Sequence, residues 1–325
     1  MPTILGIEST AHTFGVAIVR DGKVLSNCKK VFTTEEGGMI PIEVAKFHFN
    51  NKHEIYFEAL ASANIKEENI DAVAFSQGPG LAPCLLEGMK FAKEISKRLK
   101  VSVVPVNHCV AHLEIGRLTG ARNPVMLYVS GANTQIIAYA SGKYRIFGET
   151  LDLGVGNFID SFGRYAGIGF PAGPKIEKLA MGSKNYIELP YKVKGMDIAL
   201  SGILTNLRQK LGKYKIEDLV YSMQETVFAM LVETAERALA HTEKKELLLG
   251  GGVACNLRLQ EMCRIMCKER GAKLFVPENQ FLVDNAGMIA FLGEIIFKKN
   301  GGEKNLDKID IKPRQRTDDI VVVWR

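Results

Sequence analysis

Apolar and polar positions alternate in the same order at two places in the chain. Residues 4–19, ILGIESTAHTFGVAIV, predict strand, polar turn, strand, and Asp21-Gly22-Lys23 supplies a hairpin turn into VLSNCKK. The stretch from Pro124 to Tyr139 repeats this plan at a constant offset of 120. Leu127–Val129 matches Ile7–Ser9, Gly131 matches Ala11, Ile136 matches Val16, and Ser141-Gly142-Lys143 matches Asp21-Gly22-Lys23. The shared register predicts two similar domains that face each other across a cleft.

Between the copies, EVAKFHFNNKHEIYFEALASANI has helical spacing, DAVAFSQGPG reads as a buried strand, and LLEGMKFAKEISKRL as an amphipathic helix. VSVVPVNH is a strand leading into a helix. After the second hairpin come a glycine-dense stretch to Ala180 and an irregular, basic region near 186–215. Helix follows from Ile216 to His241. ELLLGGGVACNLRLQEMCRIMCKERG then reads strand, triple-glycine turn, helix, and AKLFVPENQFLVDNAGMIAFLGEIIF strand, loop, helix. Strands alternating with helices predict an α/β chain with mixed or parallel sheets covered by helices. The expected division is 1–120 and 121–325, with an insertion near 186–215 and the final helix packing back on the first domain.

Composition narrows the class. At 325 residues, with 46% apolar and 24% charged, the chain is long enough for two domains with cores. No run approaches the roughly 18 residues of a membrane span, and MPTILGIEST lacks a basic leader, so no membrane association and a cytoplasmic location are expected. Six cysteines without a Cys-x-x-Cys pair predict reduced, buried thiols. A formal charge of +6 leans toward a polyanionic partner. Candidate surfaces are the helix and its end carrying Lys90, Lys93, Lys97, Arg98 and Lys100, the tail with Lys312, Arg314 and Arg316, and the basic stretch from Lys192; a solvated helix face is the bland alternative for the first.

The chemistry centres on Val106–Tyr139. His108 and His112 are four apart on a helix, so both imidazoles project from one face and are able to share an ion. A hydrogen-bonded histidine pair is the alternative. Tyr128 and Asp284 offer oxygens, although Tyr128 fits a core and Asp284 a helix N-cap. Two nitrogens and two oxygens suit iron or zinc better than magnesium. A zinc-protease reading fails because positions 109 and 110 are Cys and Val, where His-Glu-x-x-His requires a glutamate. Three turns offer amides or hydroxyls: Ser9 with Thr10, Ser130 to Thr134, and Gly250 with Gly251 and Gly252. Together they point to a nucleotide in an interdomain cleft. Asp160 and Glu177 suit sugar hydroxyls and Asn256 a base or sugar edge, with helix-capping or solvated roles as alternatives. Glu8 is a charge inside a strand-like run, placed for a cation or water beside a cleft. His12, His48, His53 and His241 have no spacing partner and are assigned structural roles.

The ordered set GIEST, SQGPGL, NHCVAH, LYVSGANTQ, GNFIDSFGR, GFPAGPKIEKLA, LLGGGVACNLRL and RTDDIVVVWR resembles the tRNA threonylcarbamoyladenosine transferase family. The branch is that of the catalytic subunit of the archaeal and eukaryotic KEOPS complex, and the resemblance spans essentially the whole chain. It implies two actin-like, ribonuclease-H-like domains of the actin, sugar-kinase and heat-shock-protein ATPase superfamily. It further implies transfer of a threonylcarbamoyl group from its adenylate to the adenosine 3′ of the anticodon in tRNAs reading codons that begin with A. On the same basis one divalent metal, iron(II) before zinc(II), would be held by His108, His112, Tyr128 and Asp284. The adenylate, or ATP, would be held by Tyr128, Val129, Ser130, Gly131, Ala132, Asp160, Gly173, Glu177 and Asn256. Implied partners are tRNA and the KEOPS subunits: an atypical small kinase, a small dimerisation subunit and an accessory subunit. The chain departs from the family at Ala132, where many members carry a second glycine, and across 82–87. An ATP-dependent small-molecule kinase of the same fold and a non-catalytic nucleic-acid scaffold are the alternatives.

Overall fold

Period-2 hydrophobicity builds two sheets of the same design in the computed structural model, which describes residues 1–34 and 39–325. The first holds β1 (Thr3–Glu8), β2 (Thr13–Arg20), β3 (Lys23–Val31), β4 (Ala72–Gly78) and β5 (Ser102–Asn107), ordered β3-β2-β1-β4-β5. The second holds β6 (Val125–Val129), β7 (Thr134–Ala140) and β8 (Lys143–Glu149). A two-stranded ribbon, β9 (Val193–Lys194) with β10 (Asp197–Ile198), intervenes before β11 (Glu246–Gly250) and β12 (Lys273–Phe275). The second sheet runs β8-β7-β6-β11-β12. In each sheet the first three strands are antiparallel and the other two join in parallel.

The offset of 120 extends to individual pairs. Ile7 pairs with Val16 and Leu127 with Ile136; Arg20 pairs with Lys23 and Ala140 with Lys143. Both hairpins turn through two left-handed residues, Asp21 and Gly22 at φ 55° and 69°, Ser141 and Gly142 at 51° and 79°. That turn matches the right-handed twist of its strands and fixes which residues face the core.

Helices fill the spaces between. Helices α1 (Pro41–Ala63) and α2 (Ala82–Leu99) cover the first sheet, over Leu5, Ile7, Phe14 and Phe75. Short α3 (His108–Ile115) follows β5 directly. The second sheet packs against α4 (Val155–Tyr165), α5 (Gly173–Ala180), α6 (Ser201–Lys210), the 27-residue α7 (Ile216–Thr242) and α8 (Leu257–Glu269). The ribbon and α6 both lie within 186–215. A single turn, α9 (Asn279–Leu282), precedes α10 (Ala286–Asn300). Helix α10 returns to the first sheet, where Glu294 accepts hydrogen bonds from the amides of Asp21 and Gly22. Together α3 and α10 form an apolar layer between the sheets, with Ile4 and Ala74 on one side and Met126, Tyr128 and Leu248 on the other.

All six cysteines are free thiols. Four are buried, but Cys28 and Cys255 are half-buried: Cys28 packs at the edge of the core under the first sheet, and Cys255 lines a cleft. Among the described residues no helix is long and apolar enough to cross a membrane.

Candidate metal centre and nucleotide cleft

Helix α3 starts abruptly at the end of β5 because Asn107 caps it, its side-chain oxygen accepting from the Val110 amide at 3.0 Å. The cap sets His108 and His112 on consecutive turns, with ring centroids 4.8 Å apart. Asp284 reaches them from the other end of the chain. Its Oδ1 lies 3.3 Å from His108 Nε2 and 3.5 Å from His112 Nε2. The neighbouring residue explains how: Asn285 caps α10 by accepting from the Met288 amide, which leaves the Asp284 carboxylate free of that duty. Buried Tyr128 stacks obliquely on His112 with ring centroids 5.1 Å apart.

These groups fit a cation. One ligand atom from each of His108, His112 and Asp284 lies within 4.8 Å of the others. His112 Nδ1 is buried without a hydrogen-bond partner and Nε2 has only the long 3.5 Å approach of Asp284, an arrangement that costs free energy unless something binds there. Burial lowers the pKa of His112. Burial also opposes charge on His108, but the Glu8 and Asp284 carboxylates override it and raise its pKa well above the usual range. Asp284 shows the counterpart: against burial, His108 holds it well below the ordinary carboxylate value. Burial, then the nearby Cys109 and Asp284, raise the Tyr128 phenol, the direction a bound cation reverses.

Glu8 stands behind this cluster. Its Oε2 lies 3.0 Å from His108 Nδ1, while Oε1 accepts from the amide and hydroxyl of Thr10. The buried Glu8 side chain therefore orients His108 of the candidate metal cluster. Ser9 faces the other way, its hydroxyl buried without a partner against Gly88 and its amide donating to Ser76. Neither Ser9 nor Thr10 lines the cleft beside the cluster; His12 and Thr13 do.

That cleft has a volume of about 340 Å³, and its walls include Gly131, Asp160, Gly173, Glu177, Gly252 and Asn256. Its remaining polar wall includes Lys29 and Gln224; Met223, Val227 and Phe228 supply an apolar side. The 130–133 turn is held from behind. Carbonyls of Ser130 and Gly131 accept from the amides of Gly156 and Asn157 at the head of α4, an approach that a Cβ on Gly156 would block at 2.7 Å from Gly131 Cα. The Gly131 and Ala132 amides have no backbone acceptor among the described residues. Ser130 hydrogen-bonds Asn133, exposed Ala132 lies outside the cleft lining, and Val129 is buried in β6. Gly251, at φ +90°, packs where a side chain would meet the Val129 carbonyl at 2.3 Å.

Several cleft residues also hold the framework. Asp160 accepts from the Ala172 amide at 2.8 Å; burial raises its pKa, partly offset by that bond, His12 and Arg164. Glu177 accepts from the Leu257 amide at 2.8 Å. Asn256 caps α8 through Arg258 and Leu259 and donates to Gln224, so its capping and cleft-lining roles coexist. Sequence reasoning missed His12, Lys29 and Gln224. His12 was recoverable as part of the first turn, the counterpart in the repeat of the 130–134 turn; the other two left no signal beyond a polar residue in an apolar context.

Two domains of one topology around a buried His-His-Asp cluster and a nucleotide-sized cleft define an actin-like α/β fold with a candidate metal and nucleotide site. Solved structures share that fold. Thermococcus kodakarensis HypF matches with TM-score 0.65 and 15% identity over 94% of this chain and 49% of its own. The component A of Acidaminococcus fermentans (R)-2-hydroxyglutaryl-CoA dehydratase matches with TM-score 0.55 and 14% identity over 90% and 97%. The family model for TsaD, tRNA N6-adenosine threonylcarbamoyltransferase, matches residues 23–291, and the chain belongs to that family. The tRNA N6-adenosine threonylcarbamoyltransferase of Thermococcus sibiricus is 50% identical over 98% of this chain and 99% of its own length. A Methanosarcina mazei protein, named for bifunctional tRNA threonylcarbamoyladenosine biosynthesis, is 48% identical over 99% of this chain and 59% of its own length.

Proposed function

We infer that this chain is an acyltransferase that moves a threonylcarbamoyl group from threonylcarbamoyl-AMP to N6 of the adenosine 3′ of the anticodon, in tRNAs reading codons that begin with A. The observation that carries the reading is the buried His108–His112–Asp284 cluster next to the cleft lined by Gly131, Asp160, Glu177 and Asn256. Attack of the N6 amine on the carbamoyl carbon forms a C–N bond. The bond from that carbon to the phosphate oxygen breaks, and AMP leaves with the release of one proton. A mixed anhydride is already activated, so the protein has to position and stabilise charge rather than supply a nucleophile.

In this reading Asp160 and Glu177 accept from ribose hydroxyls, Asn256 and Gln224 meet the base or sugar edge, and the 130–132 turn offers amides to the phosphate. The acceptor base reaches them unstacked, which a tRNA loop permits at modest cost. His108, His112, Tyr128 and Asp284 would hold one divalent ion, iron(II) before zinc(II), and a bound ion supplies Lewis-acid polarisation of an oxygen. The partners of this reading are tRNA and the KEOPS kinase, dimerisation and accessory subunits. A small-molecule kinase would instead call for magnesium held by carboxylates, and only one of these four ligands is a carboxylate.

The test is to incubate the protein, with partner subunits, with threonylcarbamoyl-adenylate and unmodified tRNA, then digest and analyse nucleosides by mass spectrometry. Modified adenosine is expected, and its loss together with bound metal in H108A/H112A. Normal transfer by a metal-free double variant overturns the metal assignment; no product at all overturns the transferase reading.

A further inference from the structure

The net charge of this protein falls in one stretch of the chain. From the start of α4 to the residue before α7, positions 155–215 hold ten Lys or Arg against four Asp or Glu, a net of +6 that equals the formal charge of the whole chain. The rest of the molecule is neutral in sum. None of the ten forms an ion pair with a carboxylate among the described residues, for the ion-pair series passes from Arg117 directly to Arg237. Nine are exposed, and Lys210 is half-buried. Helix α2, the other basic candidate, differs: Lys90 pairs with Glu87 at 2.8 Å, Arg98 with Glu67 at 3.3 Å, and Lys93 donates to the Ile309 carbonyl.

The uncompensated segment is also a wall of the cleft. Helices α4 and α5 contribute Phe158, Asp160, Gly173 and Glu177 to its lining. Arg164 follows Asp160 by one helical turn, and its charge acts on that carboxylate. Next to it, Tyr165 is 42% exposed and carries the Arg208 guanidinium on its ring, 4.8 Å from the centroid. An exposed tyrosine already backed by an arginine is a flat, cationic platform on which an unpaired base stacks, with free cations around it for phosphates.

We propose that the rim formed by residues 155–215 is where this chain receives RNA, with Tyr165–Arg208 stacking a loop base and Arg164, Lys192 and Lys194 contacting the backbone. The choice of RNA rests on the transferase reading; the surface rests on the charge and the stack. Four carboxylates against ten cations, none of the ten in an ion pair among the described residues, fit a polyanion, and the aromatic platform favours single-stranded RNA over a lipid surface.

The experiment measures fluorescence anisotropy of labelled unmodified tRNA, its anticodon stem-loop and a loopless duplex of the same stem, with the full chain across salt concentrations. Wild type is expected to prefer the loop over the duplex. R164E/R208E should weaken binding at least about 10-fold and reduce the slope of log K against log salt by about 1 to 2. Y165A should weaken the stem-loop by about 5-fold or more and leave the duplex unchanged. K192E/K194E, both side chains exposed at the ribbon, repeats the charge test should R164E/R208E misfold. K90E/K97E on α2 should bind as wild type does.

Unchanged affinity and slope in both rim variants, or a larger loss in K90E/K97E, overturns the proposal. So does equal binding of wild type to phosphatidylserine vesicles, lost in the same variants. In the transfer assay, a rim variant with wild-type KM for tRNA removes the surface and leaves the activity standing. Absence of product from wild type removes the activity, and the binding measurements still decide the surface.

Discussion

Glu8 on β1 and His108 at the head of α3, one hundred residues apart, meet with Oε2 3.0 Å from Nδ1. A neutral imidazole carries one proton, and a carboxylate at Nδ1 places it there, which leaves the Nε2 lone pair toward Asp284 and His112. Glu8→Gln keeps the size and the contact to Thr10 but removes that preference. The expected result is a fall in affinity for iron(II) or zinc(II) of about 10- to 100-fold with the fold retained, read by chelator competition. Affinity equal to wild type would make the pair purely structural.

Gly173 separates cleft occupancy from folding. It lines the cleft, and a Cβ there meets nothing within 4 Å, so a larger side chain enters the empty volume rather than the protein. Gly173→Val is expected to change stability by less than about 0.5 kcal/mol and to weaken a non-hydrolysable ATP analogue about 10-fold by calorimetry. Unaltered binding would show that the ligand does not reach the first turn of α5.

His48 on α1 is fully buried between Phe14 and Phe47, and burial, only partly offset by the Ala11 backbone, pushes its pKa down to about 4. Below the ordinary value of 6.5 the unfolded chain takes up a proton that the folded chain refuses until about pH 4. Stability present above 6.5 is therefore lost as pH falls through that window, by up to about 3 kcal/mol. Urea unfolding of wild type and His48→Phe at about pH 7 and pH 4.5 tests this. The variant is expected to lose about 2 to 3 kcal/mol less on acidification; equal losses would place the proton elsewhere.

The hairpin register was legible because the alternation of period 2 and the two-residue turns leave one pairing that buries the apolar face, at Ile7–Val16 as at Leu127–Ile136. The histidine spacing was legible for the same kind of reason, one helix face. What decides Asp284 is not local. Asp284 and Asn285 are both good N-caps by composition, and only the packing of α10 against α3 assigns the cap to Asn285 and the carboxylate to the histidines. Ser9 and Thr10 read as cleft hydroxyls, yet close packing against Gly88 takes the first and Glu8 the second. Long-range packing carries no signature in a single strand's pattern.

The packing of α10 on β1 links the core to the metal site. A Cβ on Gly6 would sit 2.5 Å from the Ala290 amide nitrogen and 2.6 Å from the Ala286 carbonyl oxygen, both backbone, so Gly6→Ala has to push the start of α10 away from the sheet. Asp284 lies two residues before that helix, and its 3.3 and 3.5 Å approaches to His108 and His112 depend on where the helix starts. Gly293 offers a matched control, since a Cβ there would meet Ala74 Cβ at 2.4 Å, but one side-chain contact lies about 13 Å further along the helix from Asp284. Both substitutions overpack the core and are expected to cost about 1 to 3 kcal/mol by urea unfolding. Only Gly6→Ala is expected to lower metal affinity more than about 10-fold under conditions where circular dichroism shows both variants folded. Equal affinities in the two would mean that Asp284 is positioned by its own loop rather than by the seating of α10.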